Sequence, residues 1–306
     1  MIHPEDIQKI LKGRIALNEP MSRYTSVRIG GPADFLLEPA DREDALRLLS
    51  HFQEGGIPFT VIGKGSNILV SDGGIRGIVV HLEPGLNSVA MEGDLVNAGA
   101  GIPMARFVDF CVQQGLSGVE MLAGIPGTLG GGVVMNAGAY GGEISNYLVD
   151  VEVMRNARPA RIPKEQIGFS YRHASLEGAV VLGARFRLPA GDRAELMRVR
   201  RDLLIRRNRA QPVNMPNSGS MFKNPPGNHA AKLIDEAGLK GTKRGGAGIS
   251  ALHANFIVNH GGAKARDVVE LLELAHATVM KRTGISMELE IRLVGFGENI
   301  YEEIYA

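Results

Sequence analysis

Apolar and polar positions alternate along the chain with two periods, and the switches between them mark out the elements. In residues 44–53, Leu46, Leu49 and Phe52 recur at helical spacing before Gly55-Gly56, which predicts a helix with a glycine stop. Residues 57–62 are apolar enough for a buried strand; residues 63–67 form a loop, and residues 77–82 read as a second strand. Residues 86–101 alternate on either side of Glu92-Gly93-Asp94, the signature of a hairpin. Pro103 opens a helix with Phe107, Val108, Cys111 and Val112 on one face and Gly115 as its stop. Residues 148–154 and 179–188 read as strands. From Arg193 to about Asn208 a basic helix is expected to bury Leu196, Val199 and Leu203 and to end before Pro212, a candidate domain boundary. Beyond it the pattern gives a short helix around Leu233 and Ile234, a strand at 255–259, and a long helix at about 265–282. That helix carries a stripe of Val268, Leu271, Leu272, Ala275 and Val279 and stops at Gly284; a strand follows at 288–294. No repeat of fixed period is visible.

A chain of 306 residues is too long for one compact core, so two or three domains are expected. With 44% apolar and 22% charged residues it has the mixture of a globular enzyme, which argues against extensive disorder. The net charge of +1 gives no general attraction to nucleic acid or to an anionic membrane, so neither partner is expected. Cys111, the single cysteine, excludes an internal disulfide and reads as a core residue suited to a reducing cytoplasm. Residues 1–11 mix acidic and basic side chains, which predicts no signal peptide, and no segment is apolar enough to span a bilayer. The eight histidines show no ligand spacing, so no metal site is predicted.

Forty glycines change the picture because they cluster. Gly63, Lys64, Gly65, Ser66 and Asn67 follow an apolar strand, where their amides can converge on a phosphate; a plain strand-connecting turn is the alternative. Gly124, Ile125, Pro126, Gly127, Thr128, Leu129, Gly130, Gly131 and Gly132 carry three successive glycines that a helix avoids at roughly 1 kcal/mol each. Close approach of backbone to a diphosphate or a flat ring would compensate, and so would a glycine-packed crossing of two elements. Asn136, Ala137, Gly138, Ala139 and Tyr140 prolong this small-residue surface.

These strings, with TSVRIGGPAD at 25–34, resemble the FAD-binding half of the UDP-N-acetylenolpyruvoylglucosamine reductases. SYR at 170–172, GSMFKNP at 219–225, HANFIVN at 253–259 and EIR at 290–292 resemble their C-terminal half. The resemblance implies an α+β chain: a two-lobed FAD-binding fold of the vanillyl-alcohol-oxidase type over 1–84 and 85–208, with an α+β substrate-binding domain over 209–306. It implies non-covalent FAD reduced by NADPH, a nucleotide-sugar substrate bearing an enolpyruvyl ether, and a cytoplasmic step in peptidoglycan precursor synthesis. The absence of an insertion in the middle region points to the shorter subtype.

Conjugate reduction of an enolpyruvyl group sends hydride to the terminal carbon, builds charge on the carboxylate and needs a proton at the other carbon. By the resemblance, Arg172 holds the carboxylate with its planar fork of donors, Ser220 donates the proton, and Glu290 stabilises or helps protonate the intermediate. Lys223 is the nearest cation in sequence that can support an acidic serine. Lys223 and Asn224 are expected near the substrate, Tyr171 beside its sugar or the flavin, and Arg206, at the end of the basic helix, is the candidate for its diphosphate. Two further readings stay open on these residues: a flavin oxidase acting on an alcohol or sugar, and a non-catalytic flavin- or nucleotide-binding protein.

Overall fold

The computed structural model describes residues 4–305; residues 1–3, the first positions of the stretch read above for a leader, lie outside the described residues. The chain divides into two compact units, one of Met1–Leu17, Phe35–Lys64 and Gly77–Arg206, the other of Asn18–Asp34, Gly65–Arg76 and Arg207–Ala306.

The first unit contains most of a four-stranded sheet in the order Arg14–Pro20, Pro32–Glu38, Ile75–His81, Phe59–Ile62, the last two parallel. The helix Arg42–Glu54 forms where its spacing predicts. Asp41 caps it by accepting from the Asp44 N–H at 2.8 Å, and Leu48, Leu49 and Phe52 are buried. Asp44 has no exposed surface and accepts from the N–H groups of Lys12, Gly13 and Ala40, each at 2.9 Å, so one carboxylate fixes two passages of chain. The second sheet is wholly antiparallel, in the order Arg158–Pro163, Leu148–Arg155, Val180–Phe186, Leu95–Gly99, Val89–Glu92. The predicted hairpin turns at Gly93, at φ 64°. On the helix Met104–Gln113, Phe107 meets Phe186 with ring centroids 4.9 Å apart, and burial pushes the Cys111 thiol up to about 12. Cys111 is therefore an inert core residue.

Two expectations need correction. The basic helix runs over Arg193–Ala210, but only Leu196 is buried; Val199 and Leu203 are half-covered. Arg198 bonds Glu195 and Asp202 along the exposed face, so solvated ion pairs support a helix with a narrow apolar edge. Three successive glycines also do not prevent a helix: Leu129–Val134 is helical, and its physical reason lies in packing described below.

In the second unit an antiparallel sheet runs Asn217–Ser220, Phe256–Asn259, Ala247–Ile249, Lys243–Arg244. The helix Ala265–Thr283 buries its predicted stripe against this unit's core and ends at Gly284, at φ 72°. Asp72 accepts from the N–H groups of Ala265 and Arg266 at the helix start. Ile68–Val70 pairs in parallel with Arg292–Val294. The predicted strand at 288–294 is regular only over those last three residues; before them Leu289 bridges Phe222. Its alternation holds, with Leu289 and Ile291 buried and Glu288 and Arg292 exposed. Among the described residues no helix is long and apolar enough to cross a membrane.

Candidate functional site

The glycine string of the first unit separates into two kinds of position. A Cβ on Gly130 would stand 2.8 Å from the Cβ of Ala100, and one on Gly132 would stand 2.5 Å from Met104 Cε. Both are buried, and their lack of a side chain lets the helix Leu129–Val134 lie against the protein's own core. Gly131 is different: it is exposed, and a Cβ there would find only Thr128 Oγ1, at 3.7 Å. At Gly63 a Cβ would collide with Thr128 Oγ1 at 2.2 Å, which brings the GKGSN loop against the long glycine string.

Asn136 and Tyr140 both take left-handed backbone, at φ 40° and 52°, a region that non-glycine residues rarely enter. Tyr140 donates its hydroxyl to the Leu203 carbonyl at 3.3 Å, and the Arg206 guanidinium lies 5.2 Å from its ring centre. The structure thus brings together a predicted cofactor residue and the predicted diphosphate residue. Asn136 is completely buried; its amide nitrogen donates to Glu143 Oε2 at 2.8 Å and to the Ser170 carbonyl at 3.0 Å. Its Oδ1 is buried without a partner among the described residues. Ser170 pairs with His173 across a two-residue turn made of Tyr171 and Arg172. Arg172 occupies φ 58°, and its guanidinium sits 5.0 Å from the Tyr171 ring centre.

The second unit builds a separate group of candidates. Gly65, at φ 59°, passes so close to the Tyr24 carbonyl that a Cβ would stand 1.9 Å from it, and its own carbonyl accepts from the Ser26 N–H at 3.1 Å. Asn67 Nδ2 donates to the Glu290 carbonyl at 3.0 Å, and the Asn67 carbonyl accepts from the Arg292 N–H, also at 3.0 Å. Asn67 thereby holds the Glu290 segment from both sides. Ser220 follows a β-bulge: its strand's register shifts between Asn217 and Ser220, with Gly219 at φ 77° supplying the kink. The next residue, Met221, accepts the Glu290 N–H at 2.8 Å, so the backbones carrying Ser220 and Glu290 are neighbours.

Lys223 Nζ pairs with Glu288 Oε1 at 2.5 Å, so its charge is engaged by a carboxylate. Asn224 Oδ1 accepts from the Ala230 N–H at 3.0 Å and steadies the start of the helix Ala230–Glu236. The residues that set this group in place carried no separate signal. Asn255 exchanges side-chain bonds with both backbone groups of Phe222, and Asn217 Oδ1 accepts from the Gly219 N–H at 2.9 Å. Asn217 has only its own chemistry to mark it in the sequence, whereas Glu143 closes the glycine-rich string that resembles the FAD-binding half and Asn255 lies in a string quoted above.

The residues of the first unit fit an FAD. The buried carbonyl oxygen of Asn136 wants a donor, and Gly131 leaves an open face. Residues 33–157 match the family model described as FAD binding domain. The chain is thus a flavoprotein oxidoreductase with an α+β FAD-binding domain and a C-terminal α+β domain. Residues 211–294 match the model described as UDP-N-acetylenolpyruvoylglucosamine reductase, C-terminal domain. UDP-N-acetylenolpyruvoylglucosamine reductase 2 of Symbiobacterium thermophilum is 43% identical over 296 residues, covering 95% of this chain and 96% of its own. The enzyme of Geobacter metallireducens is 43% identical, covering 93% and 95%. The crystal structure of the Thermus caldophilus enzyme superposes with a TM-score of 0.79 at 35% identity, covering 93% of this chain and 99% of that one. The chain belongs to the UDP-N-acetylenolpyruvoylglucosamine reductase family.

Proposed function

We propose that the chain reduces the enolpyruvyl ether of UDP-N-acetylglucosamine enolpyruvate to the lactyl ether of UDP-N-acetylmuramate, with FAD as its cofactor and NADPH as reductant. Both are soluble nucleotides, and the cytoplasm is the compartment that supplies them. The division of labour we propose gives the FAD to segments 1–84 and 85–208 and the nucleotide sugar to segment 209–306. Bound FAD supplies hydride transfer from the nicotinamide to the terminal alkene carbon.

The chain's own residues do the rest. Arg172 holds the substrate carboxylate as negative charge grows on it, its planar fork better matched to two oxygens than an ammonium. Its turn is fixed beforehand by the Asn136 bond to Ser170. Ser220 gives its hydroxyl proton to the ether-bearing carbon, and Glu290, on the adjacent backbone, stabilises that transfer. Asn67 keeps Glu290 in register. Tyr171 flanks the sugar, Lys223 and Asn224 meet the substrate's polar groups, and Arg206 meets its diphosphate. FAD contacts fall to Gly63, Lys64, Gly65, Ser66 and Asn67, to Gly124, Ile125, Pro126, Gly127, Thr128, Gly130 and Gly131, and to Asn136, Ala137, Gly138, Ala139 and Tyr140.

The observation that best supports this reading is the left-handed bulge at Gly219, which sets Ser220 beside the Glu290 segment. The test is anaerobic: reduce the flavoprotein with NADPH, remove the nucleotide, and add UDP-N-acetylglucosamine enolpyruvate. Return of the oxidised flavin spectrum is expected; flavin that stays reduced overturns the substrate assignment.

A further inference from the structure

Asn136 lies between the glycine helix and the turn that carries Arg172. Both its amide hydrogens are directed at atoms that only accept, a Glu143 carboxylate oxygen and the Ser170 carbonyl. That fixes the amide's orientation, because a flipped group would turn its oxygen on two other oxygens. The carbonyl oxygen consequently points away from both. It is buried and lacks a partner among the described residues. Such an orphan is destabilising unless a ligand supplies the missing donor. The other end of the same group holds the backbone of Ser170, immediately before Tyr171 and the left-handed Arg172. A non-glycine residue at that φ stays put only where its surroundings hold it.

We infer that Asn136 is a positioning residue that ties FAD binding to the posture of Arg172: its Oδ1 accepts a hydrogen bond from a neutral donor of the cofactor, and its Nδ2 pins the Arg172 turn. The inference rests on the reading that FAD occupies this pocket and that Arg172 grips the substrate carboxylate. The neutral donors of FAD are the ring N–H, the ribityl hydroxyls and, in its adenosine half, the ribose hydroxyls and the adenine amino group. Titration with riboflavin, which has the ring and the ribityl chain, and with lumiflavin, which has only the ring, distinguishes them. Loss of affinity on mutation seen with both assigns the ring, loss with riboflavin alone assigns the ribityl chain, and loss with FAD but with neither probe assigns the adenosine half.

Two substitutions suit the left-handed backbone at φ 40°, so neither adds strain. Asn136→Gly removes both functions. Asn136→Asp keeps an acceptor at the oxygen position and sets a second oxygen against Glu143 and the Ser170 carbonyl. FAD dissociation constants come from fluorescence quenching of the apoprotein, and KM for the enolpyruvyl nucleotide is measured at saturating FAD. The glycine variant is expected to bind FAD at least tenfold more weakly. The aspartate variant is expected to bind FAD within about fivefold of wild type while its enolpyruvyl KM rises tenfold or more. A purely structural role would lower both melting temperatures without splitting the two constants. Wild-type FAD affinity in the glycine variant, or wild-type KM in the aspartate variant, overturns the inference. If the unmutated protein takes up no FAD or ignores the enolpyruvyl nucleotide, the parent reading fails instead.

Discussion

A serine hydroxyl is a weak acid, and what surrounds Ser220 decides whether it can serve as one. The sequence points to Lys223 as support, but that ammonium is paired with Glu288, a mostly exposed carboxylate. The structure instead gives Ser220 a rigid seat: Gly219 kinks the strand, Asn217 bonds the Gly219 N–H, and Asn255 holds Phe222 two residues on. The motif made Ser220 the candidate, yet a linear string could not show that a bulge and two asparagines fix it, because those contacts join residues up to 33 positions apart. Since general-acid help is worth about 10²–10⁴-fold, Ser220→Ala is expected to cut turnover by that range. Rapid mixing separates the steps. NADPH has no carbon to be protonated, so flavin reduction should keep its rate while reoxidation by the enolpyruvyl nucleotide slows. Equal slowing of both halves would remove Ser220 from the proton transfer.

At the scale of elements, periodicity located the helices Arg42–Glu54, Met104–Gln113 and Ala265–Thr283 to within a few residues, because each has a continuous apolar stripe and a capping or glycine stop. It missed the strands Arg14–Pro20 and Arg158–Pro163, whose residues are largely exposed and so leave no alternation to read. It also set the glycine run outside any helix, on propensity. Tertiary packing overrides that preference, since only glycine lets the helix Leu129–Val134 approach Ala100 and Met104. The same geometry separates neighbours that look equivalent in sequence. Gly130→Ala forces a methyl against the Ala100 side chain and is expected to destabilise the apoprotein by about 1–3 kcal/mol. Gly131→Ala meets no such obstacle and gains helix propensity of up to about 1 kcal/mol, but it puts a methyl on the open face assigned to FAD. Melting of the apoproteins and FAD titration should therefore rank the pair in opposite orders. A Gly131→Ala protein with unchanged FAD affinity would show that this face is not the cofactor's.

At the scale of the molecule, the two units draw on interleaved stretches of chain, and they differ in how acid reaches them. In the first unit, burial raises the pKa of Asp44 and of Asp150, but hydrogen bonds outweigh it. Three backbone N–H groups and Arg47 hold Asp44 below the ordinary carboxylate value of 3.8, and Arg185 and Arg161 do the same for Asp150. A depressed carboxylate contributes stability that is complete above the unfolded pKa and is lost only as pH falls below 3.8 and through the folded value. In the second unit, burial pushes His276 and His253 below 6.5; His276 bonds Ser286 Oγ at 3.2 Å and sets its ring edge on Tyr305. Each stays neutral in the fold while its unfolded counterpart takes up a proton. Their contribution is therefore complete above pH 6.5 and declines as pH drops from there toward the folded values. Mild acid should thus weaken the second unit first, well before the carboxylates of the first unit titrate. His276→Gln retains a hydrogen-bonding group for Ser286 but removes the titration. Melting temperatures recorded from pH 8 to pH 5 should fall less steeply in this variant than in wild type, with the two curves parallel above pH 7. Parallel curves all the way to pH 5 would mean that His276 is protonated as readily in the fold as outside it, and the acid sensitivity would have to arise elsewhere.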